Sequence, residues 1–223
     1  MSPTVSIVLL WVLFTGTHLG LASTRVEPKL RARLGEVGFM SLYSLVALAS
    51  FIPLCWLYFA NRHAGTWLWH VPVGPELRAG LYLAMALATS ILVYGALRPS
   101  PASIAGGNAA GEIRGAFRIT RSPLVLGAGL LMALHLIPNG STTDVAFFGG
   151  FVAFTVAGAW HQDTRKLAYG IPGFAAFHEN TNFVPFARGG LRGLTEFGAL
   201  VWLVAAVLFL GARWLHPLPL WPH

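Results

Sequence analysis

The chain has 223 residues, of which 55% are hydrophobic and only 10% charged, far below the roughly 25% charged content of an average soluble domain. Its mean hydropathy is +0.63, which excludes an ordinary water-soluble globule and predicts an integral membrane protein. The formal charge of +7 is spread over alternate loops and forms no patch of the kind nucleic acid needs.

Apolar windows long enough to cross a hydrocarbon core of about 30 Å fall at 4–23, 38–59, 78–97, 122–138, 144–160 and 196–214. They predict an all-α polytopic bundle of about six transmembrane helices, folded as one domain over 1–223. The first window is followed, not preceded, by basic residues, so it reads as a retained helix and not as a secretory leader. Of the 15 Lys and Arg residues, twelve lie in 24–37, 98–121 and 161–195, against Arg62, Arg78 and Arg213 in the other loops. That bias predicts a bacterial-type inner membrane with both termini on the non-cytoplasmic side.

Between the windows, Pro28 and Gly35 punctuate the first basic loop, and Trp67 and Trp69 mark the next loop as an interfacial anchor. The stretch RPSPASIAGGNAAGEIRG, 98–115, reads as a flexible loop able to close over a ligand. Only NGSTT separates the fourth and fifth windows, so those helices are expected to form a hairpin turning at Asn139-Gly140. Residues 161–195 mix charge with aromatic groups at intervals of three and four. They predict a short interfacial helix with Phe174 and Phe177 on its apolar face. The lone Cys55 precludes an intrachain disulfide and reads as a buried small hydrophobe.

The eight histidines divide by environment. His63, His70, His161, His178 and His223 fall in loops or at the terminus and read as solvated, whereas His18 and His135 stand inside apolar windows and His216 stands at the end of the last. An ionisable ring at membrane depth faces the protein interior and has a partner, because leaving it unpaired there costs several kcal/mol. One partner is a hydroxyl or carbonyl of a neighbouring helix, and Thr15 and Thr17 are near His18. The other is haem iron, for which neutral imidazole is a preferred axial ligand. On that reading Arg25, two turns beyond His18, is the first candidate for a propionate partner.

HLGLASTRVEPKLRARLGEVGFMSLYSLVAL (18–48), FRITRSPLVLGAGLLMALHLIPNGSTTDVAFFGG (117–150), GAWHQDTRKLAYG (158–170) and NTNFVPF (180–186) together resemble the NnrU family. That family includes the membrane 15-cis-zeta-carotene isomerase. The resemblance implies haem b held by His18 and His135, an iron whose ligation changes with redox state, and cis-trans isomerisation of an apolar 15-cis polyene by the reduced form. It equally admits a role in nitrite and nitric oxide metabolism, or a non-enzymatic haem accessory of a membrane redox complex; no electron donor is indicated. Two positions depart from the family pattern. Met132 stands where the isomerase has a cysteine, making a thioether the only sulfur ligand available there, and the family's R-H-P is Arg121-Ser122-Pro123. Arg121 is nevertheless a candidate cofactor contact. The same Arg121, with Asp163, Arg165, Tyr169 and Gly170, also resembles the S-adenosylmethionine site of isoprenylcysteine-type membrane methyltransferases, in which Asp163 or Glu179 would face the sulfonium.

Overall fold

The computed structural model describes residues 1–103 and 112–216. Within them the chain is all-helical. The elements are α1 (Pro3–Leu21), α2 (Glu27–Ala60), α3 (Pro75–Leu97), a 3-10 turn (Gly115–Arg118), α4 (Pro123–Leu136), α5 (Thr142–Ala168), α6 (Phe174–Asn180), α7 (Arg192–Thr195) and α8 (Ala199–Leu215). Proline opens α1, α3 and α4 at the first turn, where its missing N–H costs nothing and its fixed φ suits the helix.

Four of these helices, α1, α2, α3 and α5, are long and apolar enough to cross a membrane, while α4 and α8 are apolar but shorter. Of the six expected spans, four are thus found at full length among the described residues, and α4 and α8 fall short of the length a span needs. Hydropathy averages over a window and does not see where a helix stops. Pro123 starts α4 and Ile137-Pro138 ends it, leaving 14 residues, about 21 Å of rise. The basic loop 24–37 is shorter than expected, because residues from Glu27 onward are already helical and Gly35 (φ 70°) alone interrupts α2. The Glu27 carboxylate accepts a 2.9 Å bond from Arg31 Nε, and the Arg31 guanidinium lies 4.4 Å from the centre of the Phe39 ring. Most of the 98–115 loop reading, and His223, fall outside the described residues.

The chain divides into two compact units, Met1–Val71 with Asn139–Phe154, and Pro72–Pro138 with Thr155–His223. In the first, α1 packs on α2 and Trp11 is wrapped by Phe14, Phe51, Phe147, Phe151 and Phe154 at ring separations of 4.8 to 6.3 Å among them. Gly150 makes this possible, since a Cβ there would come within 2.3 Å of the indole. Trp67 is half-buried in this unit and Trp69 is exposed. Trp67 stacks between the rings of His63 and His70, and the carbonyl of Trp69 lies where a Cβ on Gly140 would be. Asn139-Gly140 is consequently no solvent-facing turn: Asn139 is buried and the Gly140 carbonyl accepts a 2.8 Å bond from Leu68 N–H.

In the second unit α3 is the central helix, packed against α4 and α8. It meets α4 through glycine, the small-residue mode of close helix approach. A Cβ on Gly95 would lie 2.2 Å from the backbone nitrogen of Leu124, and one on Gly127 would lie 2.8 Å from that of Leu92. Ile91, Val93 and Tyr94 of α3, Ala116 and Ile119 beside the 3-10 turn, and Phe197, Val201 and Ala205 form its main core. The expected interfacial helix over 161–195 takes a different form. Residues 161–168 prolong α5, so His161, Asp163 and Arg165 are helical and not in a loop, and only α6 and α7 form separate short helices. Phe174 and Phe177 do share a face, and they are buried with Ala102.

Candidate functional site

His18 stands on the last turn of α1, its ring flanked at 5.2 Å by Phe14, 4.7 Å by Tyr43 and 5.2 Å by Phe154. It is half-buried, with one polar ring among three aromatic ones. The hydroxyl of Thr17 is no partner for it, because that group donates to the carbonyls of Leu13 and Phe14 in its own helix. Arg25 is exposed in the turn between α1 and α2. Helix α1 ends at Leu21, so the helical spacing that would set Arg25 two turns beyond His18 on one face does not continue that far.

His135 stands on the last turn of α4 in the second unit, also half-buried. Its Nδ1 lies 2.8 Å from the Leu131 carbonyl oxygen. A carbonyl can only accept, so Nδ1 is the donor, and in the neutral ring the lone pair is then on Nε2. Ligating histidines are commonly oriented in this way, with the other ring nitrogen donating to a carbonyl or carboxylate. Met132 lies three residues earlier in α4 and is half-buried. His216, at the C-terminal cap of α8, is close enough to act electrostatically on His135.

Arg121 belongs elsewhere. It immediately precedes α4, whose far end carries His135 about 20 Å away along the helix axis. Its side chain is 9% exposed and that of Asp163 4%, with Nε 3.1 Å from Oδ2. The pairing is one of charge more than of a directed hydrogen bond, since Arg121 Nε and Asp163 Oδ1 both lack a hydrogen-bond partner. Arg121 Nη1 donates to the His178 carbonyl at 2.5 Å, its backbone N–H to the Asn182 carbonyl at 2.7 Å, and its guanidinium lies 5.6 Å from the centre of the Phe183 ring. Burial pulls the guanidinium below the ordinary arginine range, and Arg188 adds to that while Asp163 opposes it. Ser122 occupies the N-cap position of α4 without a side-chain capping bond and is buried. Of the residues grouped for a methyltransferase site, Arg121 and Asp163 come together, and Glu179 lines the same cavity as Arg121. Arg165 instead lies over the ring of Tyr169, which is exposed, and Gly170 turns the chain at positive φ.

Two histidines expected to be solvated have partners. His178 sits in α6 with Nε2 3.7 Å from Asp163 Oδ2. His63, in the left-handed region at φ 59°, places Nδ1 3.0 Å from Oδ2 of Asp144, a carboxylate wholly buried at the start of α5. Asp144 was never a candidate from the sequence. The available signal was a single acid in the first turn of an apolar helix, which also reads as a helix-dipole residue.

Behind the Arg121 cluster, Glu196 ties the loop before α8 to the 3-10 turn. Its carboxylate accepts a 2.6 Å bond from Gly115 N–H and a 2.9 Å bond from Arg118 Nε. The Gly115 N–H, followed by Arg118, holds this carboxyl below the ordinary glutamate range. A depressed carboxylate stabilises the fold above its unfolded-state pKa, near 4.3, and that contribution disappears as pH falls through the lower folded-state value. Glu196→Gln is thus expected to lower the unfolding midpoint in detergent at pH 7, with the gap from the parent chain narrowing on acidification below about pH 4. A gap that is the same at pH 7 and pH 3 would count against this linkage.

An all-helical apolar protein with a histidine set at the end of each of two helices is the class that these features define. The chain belongs to the NnrU family, whose model, described as NnrU protein, matches residues 6–220. It is similar to the chloroplastic 15-cis-zeta-carotene isomerase of Arabidopsis thaliana, with 28% identity over 233 aligned residues that cover 97% of this chain and 61% of the relative. The chloroplastic 15-cis-zeta-carotene isomerase of Zea mays is 26% identical over 230, with the same coverage of 97% and 61%. The chain therefore spans about three fifths of the length of these relatives. No solved structure matches it at a significant level.

Proposed function

We propose that this protein is a membrane isomerase acting on the 15-cis double bond of an apolar polyene of the zeta-carotene type, and that it carries haem b held by His18 and His135. The carrying observation is the Nδ1 bond of His135 to the Leu131 carbonyl, which presents Nε2 as a ligand nitrogen within a chain similar over 97% of its length to two such isomerases. Haem iron would supply a redox-switchable Lewis-acid centre able to lower the bond order of a conjugated chain. The protein's own part is binding and exclusion. Phe14, Tyr43 and Phe154 pack around His18, apolar surroundings of the kind a porphyrin would need. Met132, on the His135 side of α4, offers a thioether where the relatives' family pattern has a thiol. The basic loops 24–37, 98–121 and 161–195 favour a cytoplasm-facing position in a bacterial-type membrane.

The test is a reduced-minus-oxidised absorption spectrum of the purified, haem-supplied chain and of His18→Ala and His135→Ala. The parent should show a b-type haem signal, and each variant should lose most of it. A folded parent without any haem band ends the cofactor proposal, and equal haem in both variants ends the ligand assignment. For the reaction, reduced protein should convert 15-cis-zeta-carotene to product. No conversion by haem-loaded protein, beside an active Arabidopsis isomerase control, removes the isomerase reading while leaving the haem reading intact.

A further inference from the structure

In the second unit, the ends of three apolar helices meet beside Arg121. The C-terminal turn of α3 lies against the start of α4 through Gly95 and Leu124, and Asp163, near the C-terminal end of α5, holds Arg121. A cavity of about 520 Å³ opens at this junction, lined by Arg121, Arg188, His178, Asn182 and Phe183 among others. Its lining sets these polar side chains beside the apolar Val184 and Ala187.

Two guanidinium groups, of Arg121 and Arg188, line this cavity. Asp163 answers Arg121 from one side only, at Nε. Arg188, exposed and bonded to no acid among the described residues, lines the same cavity and adds a second positive charge to it. Glu179, also in the lining, is solvent-exposed like Arg188, so solvent screens both of these charges. Two guanidinium groups on one cavity repel each other, and an anion between them removes that repulsion while accepting hydrogen bonds from both. Arg121 is already fixed in orientation by the His178 carbonyl and the Phe183 ring, so little side-chain entropy would be lost on binding.

The geometry points to a binding site for a phosphate ester between Arg121 and Arg188, with Asp163 and Phe183 holding Arg121 in place. A phosphoryl group matches the fork of an arginine, and the meeting of helix ends is where membrane helices reach the headgroup level. The shared chemistry could come from a phospholipid headgroup or from a soluble phosphate. The site is independent of the haem proposal: His135 lies at the other end of α4.

Binding is measured on the full chain in a non-ionic detergent at low salt, using dihexanoylphosphatidic acid below its micellar concentration, inorganic phosphate and S-adenosylmethionine as probes. Arg188→Gln removes an exposed side chain and should leave folding intact. It is expected to weaken phosphatidic acid binding about tenfold or more, the usual effect of losing one charge-assisted hydrogen bond. Arg33→Gln, at an exposed position in α2, should leave binding unchanged. Binding of the lipid without inorganic phosphate identifies a headgroup site, and comparable binding of both identifies a soluble phosphate site. No binding of either at millimolar concentration overturns the proposal, as does equal affinity of the parent and Arg188→Gln. Saturable binding of S-adenosylmethionine with no phosphate binding also overturns it, in favour of a methyltransferase cavity.

Discussion

Asp144→Ala should be among the most destabilising single substitutions in the chain, costing about 3–5 kcal/mol. The carboxylate is fully buried and accepts from four donors. These are the Tyr58 hydroxyl at 2.9 Å, the Ser141 hydroxyl at 2.7 Å, the His63 backbone N–H at 3.3 Å and His63 Nδ1 at 3.0 Å. Deleting it leaves Tyr58, 4% exposed, and Ser141, 0% exposed, as buried polar groups without their acceptor, each carrying a desolvation cost of about 1–3 kcal/mol. The backbone of His63 would also lose the contact that offsets its left-handed conformation. Asp144→Asn keeps the shape and one acceptor oxygen but turns an amide toward donors, so its cost should fall between the parent and the alanine variant. Denaturant unfolding in mixed micelles, followed by tryptophan emission, reads the difference. An alanine variant within about 0.5 kcal/mol of the parent, the range of a neutral surface change, would show that this network does not hold the first unit together.

That network also marks the limit of what the sequence discloses. Hydropathy places every apolar helix, because each must present a continuous apolar surface, and the boundaries of α1 and α3 fall within three residues of the windows 4–23 and 78–97. Local sequence chemistry is equally readable. Gly35 interrupts α2 and Pro123 opens α4, as their backbone preferences require. Pairings across the chain are another matter. Asp144 and His63 are 81 positions apart, and a histidine in a polar loop looks solvated until the fold brings a carboxylate to it. His178 likewise reads as solvated in the sequence, because its acid, Asp163, lies on α5. Resemblance to known motifs drew attention to Arg121 and Asp163 together, and they are 3.1 Å apart. It drew in Tyr169 equally, which points elsewhere because the turn at Gly170 carries it to the surface.

The Arg121–Asp163 pair gives the second large effect, and it is of a different kind. Both side chains are at least nine-tenths buried, so removing one partner leaves the other as an uncompensated charge, at a cost of about 3–5 kcal/mol. Arg121→Met and Asp163→Leu should each therefore unfold the second unit readily, and Asp163→Asn, which retains the shape but not the charge, should still lose a large part of that stability. The double variant Arg121→Met with Asp163→Leu should be more stable than either single one, because the desolvation of both charges is lifted along with their attraction. The absence of a directed hydrogen bond between Nε and Oδ1 or Oδ2 strengthens this expectation, since less specific bonding is forfeited. His178 supplies an internal check: at 3.7 Å from Asp163 and 31% exposed, it should change stability by less than about 1 kcal/mol when replaced by Gln. Unfolding free energies of the two single variants and the double variant, measured in the same detergent, settle the matter. Additive losses would mean that Arg121 and Asp163 are held independently, Arg121 by the His178 carbonyl and the Phe183 ring alone, and that the ion pair is a by-product of where α4 and α5 end.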